Sequence, residues 1–280
     1  MKLKDFIKLY ISEILPRKAR KTKINQRQQL TFWSKHLGHK NIKSIKPIDI
    51  LKVRNLLKVS DASKNIYLAA LRHVFSIAIK EFDLLEINPL LKVNNLKNPR
   101  GRVRFLSDEE RKNLLVACEE SGNRYLFLVV LLAITTGARK NEIISLKWED
   151  ADLKRKIIYL HETKNGETRT LIITDMINQL LIELQQEKES IFIFKGKRNQ
   201  PIDIRYPFEA AVKRAGIKNF RFHDLRHSCA SYLAMNGASM NEIAEILGHK
   251  SLNMVQRYAH LSTQHKADVI NSMAEKIFRN

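Results

Sequence analysis

Cysteine is scarce in this 280-residue chain. Cys118 and Cys229 are the only two, which excludes a disulfide scaffold. Nine glycines and six prolines exclude a collagen-like or low-complexity chain, and no internal repeat is present. Long apolar runs are missing. The longest, Tyr125–Ile134, has ten residues, and a spanning helix needs roughly 20. The N-terminal MKLKDFIKLY contains no continuous apolar stretch of the signal-peptide kind. These absences predict a chain that stays in the cytoplasm with both thiols reduced.

Acidic residues are also few. Asp and Glu number 29 against 50 Lys and Arg, leaving a formal charge of +21. Such a field attracts polyanions. Nucleic acid is the first partner it suggests, because a large cationic excess gains most by neutralising phosphates. An anionic membrane surface is the second. The charge is uneven: residues 1–100 hold 22 basic and 7 acidic residues, and residues 101–280 hold 28 and 22. This asymmetry predicts two domains, one of them chiefly a binding module. With 44% hydrophobic residues, the chain can bury real cores.

Periodicity predicts a mainly α chain. In the first third, Leu3, Phe6, Ile7, Tyr10, Ile11 and Ile14 recur at helical spacing before Pro16. A basic stretch, Arg17–Lys23, is followed by helices over about 23–37, after Pro47, and over 63–82. The third should turn Ile50, Val53, Leu56 and Leu57 inward, and the fourth Ile66, Leu68, Leu71, Val74, Phe75 and Ile79. Phe32 and Trp33 read as core residues. Residues 94–104, NNLKNPRGRVR, read as a basic linker between a 1–93 helical domain and a 105–280 domain. Ser107 and Glu110 have the spacing of a capping box. Helices are expected after it to about Glu120, around 125–135 and over 140–146. Lys156–His161 and Arg169–Thr174 are strand-like, joined by a turn containing Asn165-Gly166. A short strand at Ile191–Phe194 is possible on pattern. Helices follow over about 175–188, 206–215, 224–236, 240–247, 251–258 and 263–278.

Four segments of the second domain stand out: TTGARKNEI (135–143), TKNGETR (163–169), HDLRHS (223–228) and LGHKSLNMVQRYAH (247–260). Each is weak alone. Their ordered set, an Arg, a Lys, His-x-x-Arg, Leu-Gly-His and a Tyr nine residues later, resembles the tyrosine recombinase (phage integrase) family. The resemblance covers the whole second domain, with a basic helical domain and a basic linker before it. It implies a helical core-binding, SAM-like domain plus a mostly α catalytic domain with a small antiparallel sheet.

By that resemblance Tyr258 is the nucleophile that cleaves a DNA phosphodiester to leave a 3′-phosphotyrosyl link. Arg139 and Arg226 hold the phosphate, His249 hydrogen-bonds it, His223 is the candidate general base and Lys164 the general acid. Glu142 and His227 are supporting residues. The chemistry suits the residue types. Guanidiniums stay charged and bind phosphate oxygens bidentately, and a phenol with an ordinary pKa of about 10 needs cations and a base to attack. No metal and no cofactor is required, because the cations are side chains. Lys154, Lys156 and Arg169 lie close to Lys164 and compete for its role.

The resemblance also implies double-stranded DNA as substrate, a homo-tetramer in the synaptic complex, host DNA-bending factors, no membrane role, and a nucleoid-associated location. Arg17, Lys18, Arg20, Lys21, Lys23, Arg100, Arg102 and Arg104 are the candidate DNA contacts. Val269, Ile270, Met273, Ile277 and Phe278 recur at helical spacing after Tyr258, suited to packing on a neighbouring protomer or on their own domain. Because the core-binding-like region starts within the first few residues, the expectation is an architecture without an arm-binding domain, closer to Xer-type recombinases and simple integrases. Integration or excision of a prophage or mobile element is the expected role. An Xer-type dimer resolvase, an inversion recombinase and a type IB topoisomerase-like relaxase share the chemistry. A non-catalytic DNA-binding protein is a reading from another class. So is a metal-dependent hydrolase using His223 and His227 at i,i+4, against which stand Asp224, Arg226 and the lack of a third ligand at motif spacing. A second Leu-Gly-His-Lys string, at 37–40, has no tyrosine nine residues after its histidine and no His-x-x-Arg before it.

Overall fold

The computed structural model describes residues 1–97, 102–161, 168–249 and 251–278. The chain divides into two compact units, Met1–Gly101 and Arg102–Asn280.

The first unit is helical: α1 (Leu3–Glu13), α2 (Arg20–Leu37), α3 (Pro47–Asn55) and α4 (Asp61–Lys80). Leu3, Phe6, Ile7 and Tyr10 of α1 meet Leu30 and Trp33 of α2 and Leu68, Leu71, Val74 and Phe75 of α4 in one core. Trp33 is fully buried and its Nε1 donates to the Tyr67 carbonyl at 2.9 Å. Phe32 packs against the same core. Two expected core positions face solvent instead: Leu56 and Ile66 are 56% and 55% exposed. Helix α3 ends at Asn55, which takes Leu56 off its buried stripe. Ile66 lies on the face of α4 opposite Leu68 and Leu71, where no described helix of this unit covers it. At the end of the unit, Asn65 of α4 exchanges two hydrogen bonds with the Leu96 backbone, 2.9 and 2.8 Å. The start of the expected linker is thus fastened to α4.

The second unit holds α5 (Asp108–Glu119), α6 (Leu126–Thr136), α7 (Lys140–Ile144), α8 (Asp175–Gln186), α9 (Arg205–Arg214), α10 (Phe222–Met235), α11 (Met240–Leu247) and α12 (Thr263–Phe278). The capping box at Ser107 and Glu110 closes α5 with reciprocal bonds of 3.1 and 3.0 Å. Helix α6 is buried almost all round, as a run apolar on every side requires. Three antiparallel strands, β1 (Ala151–Asp152), β2 (Ile157–Leu160) and β3 (Arg169–Ile172), pair in sequence order. Leu160 stands opposite Arg169 and Ile158 opposite Leu171, so the alternating pattern sends Ile158, Leu160 and Leu171 into the core.

Two expectations change. Ile191–Phe194 forms no strand; Phe192 makes only an isolated bridge with Lys147. The expected 251–258 helix is two 3₁₀ turns, Leu252–Met254 and Gln256–Ser262. A 3₁₀ turn has three residues per turn, so its apolar positions mimic a short helical stripe in sequence.

Candidate active site

Helix α6 ends at Gly137, whose left-handed φ of +61° lets the chain turn away. A Cβ there would stand 2.2 Å from Leu247 Cδ2 and 3.3 Å from Cys229 Sγ. Helix α11 ends in the same way, at Gly248 with φ +66°, where a Cβ would stand 2.9 Å from Arg169 Cδ. Two glycine-capped helix ends therefore meet over the middle of α10. Arg139 follows the first glycine by two residues and His249 follows the second directly, so their sequence-distant segments share one neighbourhood.

Arg139 opens α7. Its backbone N–H donates to Glu142 Oε2 at 2.9 Å and its Nη1 to Oε1 at 2.6 Å. Arg169, the first residue of β3, donates Nη2 to the same carboxylate at 3.0 Å and Nη1 to the Ile246 carbonyl at 2.9 Å. Glu142 is thus a buried anion held between two guanidiniums. Burial pushes its pKa up, but the Arg139 hydrogen bonds and the Arg169 and Arg139 charges prevail, and the net shift is downward. Arg139, Arg169, Gly248 and His249 line one cavity of about 850 Å³ with Thr135 and Thr136.

Arg226 lies on α10 and is only 4% exposed. Its Nη1 donates to the Gly137 carbonyl at 2.7 Å. Burial, reinforced by the charges of Arg139 and Arg169, lowers its pKa to about 10. It stays cationic at neutral pH. Among the described residues, three buried nitrogens here find no hydrogen-bond partner: Arg226 Nη2, Arg169 Nε and His249 Nδ1. Burial and then Arg226, Arg139 and Arg169 bring the His249 pKa down to about 4. A cluster of cations and a neutral imidazole, with nitrogens left unsatisfied, is the environment an anion would complete.

Tyr258 is 2% exposed, on the second 3₁₀ turn. Its hydroxyl lies 2.5 Å from His227 Nδ1. Burial raises the phenol pKa against the opposing pull of Arg257 and Arg226. His223, one turn earlier on α10, stands edge-to-face with His227, ring centroids 5.2 Å apart, and makes no hydrogen bond to Tyr258 among the described residues. Burial and the Arg226 charge lower its pKa. Asp224 caps α10 by accepting from Arg221 N at 2.8 Å and pairs with Arg102 at 3.1 Å.

The second unit thus gathers Arg139, Glu142, His223, Arg226, His227, His249 and Tyr258. Lys164 and Arg100 lie outside the described residues. The other candidate DNA contacts fall into two groups. Arg20 and Lys21 are exposed on the first turn of α2 and Lys23 is half-buried. Arg17 pairs with Glu81 at 3.1 Å, Lys18 donates to Tyr10 and Gln26 at 2.7 and 2.8 Å, and Arg104 pairs with Glu110. Sequence reasoning missed the part played by Arg169. It stands in the TKNGETR segment, but its link between Glu142 and the end of α11 exists only in the fold.

Residues 104–265 match the phage integrase family. The integrase of Salmonella phage P22 is 32% identical over 219 residues, which cover 73% of this chain and 55% of that protein. The chain spans about half the length of such curated relatives. Among solved structures, a lambda integrase dimer bound to a COC′ core site is similar with a TM-score of 0.76 at 22% identity, covering 92% of this chain and 95% of that one. A lambda integrase tetramer bound to a Holliday junction is similar with a TM-score of 0.72 at 23% identity, covering 90% of this chain and 78% of that one. At those identities the likeness is one of fold. The family match runs from Arg104 past Tyr258 and takes in more than half of the sequence, so the chain belongs to the phage integrase family of tyrosine recombinases.

Proposed function

We propose that the protein is a site-specific DNA recombinase that cleaves and rejoins double-stranded DNA through Tyr258. The observation that carries this reading is the convergence on α10: a buried tyrosine hydroxyl bonded to an imidazole, beside buried guanidiniums with unsatisfied donors. The scissile phosphate would take up those donors. Tyr258 Oη attacks phosphorus, the bond to the 5′-oxygen breaks, and a 3′-phosphotyrosyl link retains the bond energy for rejoining. Arg139 and Arg226 stabilise charge that grows on the non-bridging oxygens, and His249 hydrogen-bonds the phosphate. The α10 imidazoles His223 and His227 serve the phenol. Lys164 protonates the leaving oxygen. Glu142 and Arg169 position Arg139 and the end of α11. No metal or cofactor enters this scheme.

The 1–93 region acts as a core-binding DNA-binding module, with 94–104 as the connection and 105–280 as the catalytic domain. The exposed cations Arg20 and Lys21, with Lys23, contact phosphates, joined by Arg100, and by Arg17, Lys18, Arg102 and Arg104 where they can exchange their protein partners for DNA. Four protomers assemble on two duplexes, as supported by the lambda integrase tetramer's similarity of fold. Integration or excision of a mobile element is the assigned role, aided by host DNA-bending factors, and the enzyme works at the nucleoid in the cytoplasm.

The test pairs a labelled duplex from the element's own attachment region with wild-type protein and Tyr258→Phe. Both should shift the duplex, and only the wild type should form a denaturant-resistant adduct. An adduct formed equally by Tyr258→Phe would overturn the assignment of the nucleophile.

A further inference from the structure

His227 was expected only to support the site, with His223 as the base. The contact to the phenol is made by His227. His227 Nδ1 lies 2.5 Å from the Tyr258 hydroxyl, and the two rings are 6.0 Å apart and tilted by 46°. His223 faces the ring of His227 instead. We propose that His227 is the residue that takes the phenolic proton of Tyr258 during cleavage and returns it during rejoining. This inference rests on the recombinase reading above.

The protonation states agree with the direction of the bond. Burial raises the phenol pKa. Burial, then His223, lowers that of His227 to about 4, with Asp224 opposing and Arg257 and Arg226 assisting. Both groups are neutral at pH 7, so the phenol donates and Nδ1 accepts, which places the imidazole proton on Nε2. A phosphodiester entering among Arg139, Arg226 and His249 adds negative charge, offsets the cations that depress His227, and favours its protonated form.

The step balances. The Tyr258 O–H bond breaks and Nδ1–H forms as oxygen bonds to phosphorus. The bond from phosphorus to the 5′-oxygen breaks, and that oxygen takes a proton from the general acid, the role proposed above for Lys164. In rejoining, the 5′-hydroxyl attacks phosphorus and returns its proton to the general acid, the phosphotyrosyl bond breaks, and the phenolate recovers its proton from His227. One residue thus serves both half-reactions.

The test uses a nicked suicide duplex in two forms, with oxygen or sulfur at the 5′-bridging position. Sulfur leaves without needing a proton, so it bypasses the leaving-group acid but not the base. His227→Asn places an amide oxygen near the position of Nδ1 and can accept a hydrogen bond but not a proton. Adduct formation by His227→Asn should fall about 10²–10⁴-fold on both duplexes, with the DNA shift unchanged. Recovery on the sulfur duplex, or a wild-type rate on the oxygen duplex, overturns the proposal. His227→Ala supplies a second reading: added imidazole should restore part of its adduct formation, and an Ala variant as fast as wild type without imidazole overturns the proposal. Failure of the wild type to form any adduct would instead strike the recombinase reading itself.

Discussion

Gly137 and Leu247 touch where two helices end: a Cβ on Gly137 would lie 2.2 Å from Leu247 Cδ2. One glycine position therefore sets the distance between the Arg139 segment and the His249 segment. Arg226 reinforces it by donating to the Gly137 carbonyl.

Gly137→Ala should disturb both stability and chemistry. The methyl group meets Leu247 and the backbone must hold a positive φ that alanine disfavours. Overpacking of this kind costs about 1–3 kcal/mol. A lower urea midpoint and slower adduct formation are expected. A variant with wild-type midpoint and rate would show that the two helix ends do not need this close approach.

Arg226→Lys keeps a charge but loses the planar fork. The compact ammonium cannot reproduce the parallel pair of N–H bonds to the phosphate that the fork offers beside its bond to the Gly137 carbonyl. Adduct formation should fall about 10²–10³-fold, with little change in the salt dependence of DNA binding. Single-turnover cleavage and gel shift separate the two effects. Equal losses in both would make Arg226 a general binding residue.

Glu142→Gln tests the carboxylate between Arg139 and Arg169. At pH 7 the loss should be about 1.5–3 kcal/mol, the range for hydrogen bonds to charged groups. The folded pKa of Glu142 lies below the ordinary carboxylate value. Its contribution is therefore fully present above that ordinary value and disappears as pH falls through the folded pKa. The stability gap between wild type and Glu142→Gln should close as pH drops below about 4. Urea unfolding at pH 7 and pH 3 measures it; an unchanged gap would contradict the ion-pair account.

The apolar residues of α12 stay open to solvent. Val269, Ile270 and Ile277 are each more than half exposed. Burying such a face in a partner protomer would contribute to assembly. Truncation after Ser262 should leave single-site DNA affinity nearly intact and abolish synaptic complexes in sedimentation. Synapsis by the truncated protein would assign the face to another use.

Much of this fold was legible because its signals are local. The stripe of α1, the capping box of α5 and the alternation in β2 and β3 each rest on residues a few positions apart. The order of Arg139, Arg226, His249 and Tyr258 marked the segments that the fold brings together. Two relationships were not legible. The bond between His227 and Tyr258 joins residues 31 apart in sequence, and nothing in the i,i+4 pair with His223 says which imidazole meets the phenol. The bridge from Arg169 to Glu142 and Ile246 likewise depends on how β3 docks beside α11. The 3₁₀ turns after Ser251 passed for a helix because three-residue and four-residue spacings coincide over so short a stretch.

Covalent capture with peptide mapping tests the central claim most directly. A nicked attachment-site duplex, incubated with the wild-type protein and digested with protease, should yield one DNA-linked peptide, modified at Tyr258 through a 3′-phosphate. A linkage at another residue, or to the 5′-phosphate, would contradict the account.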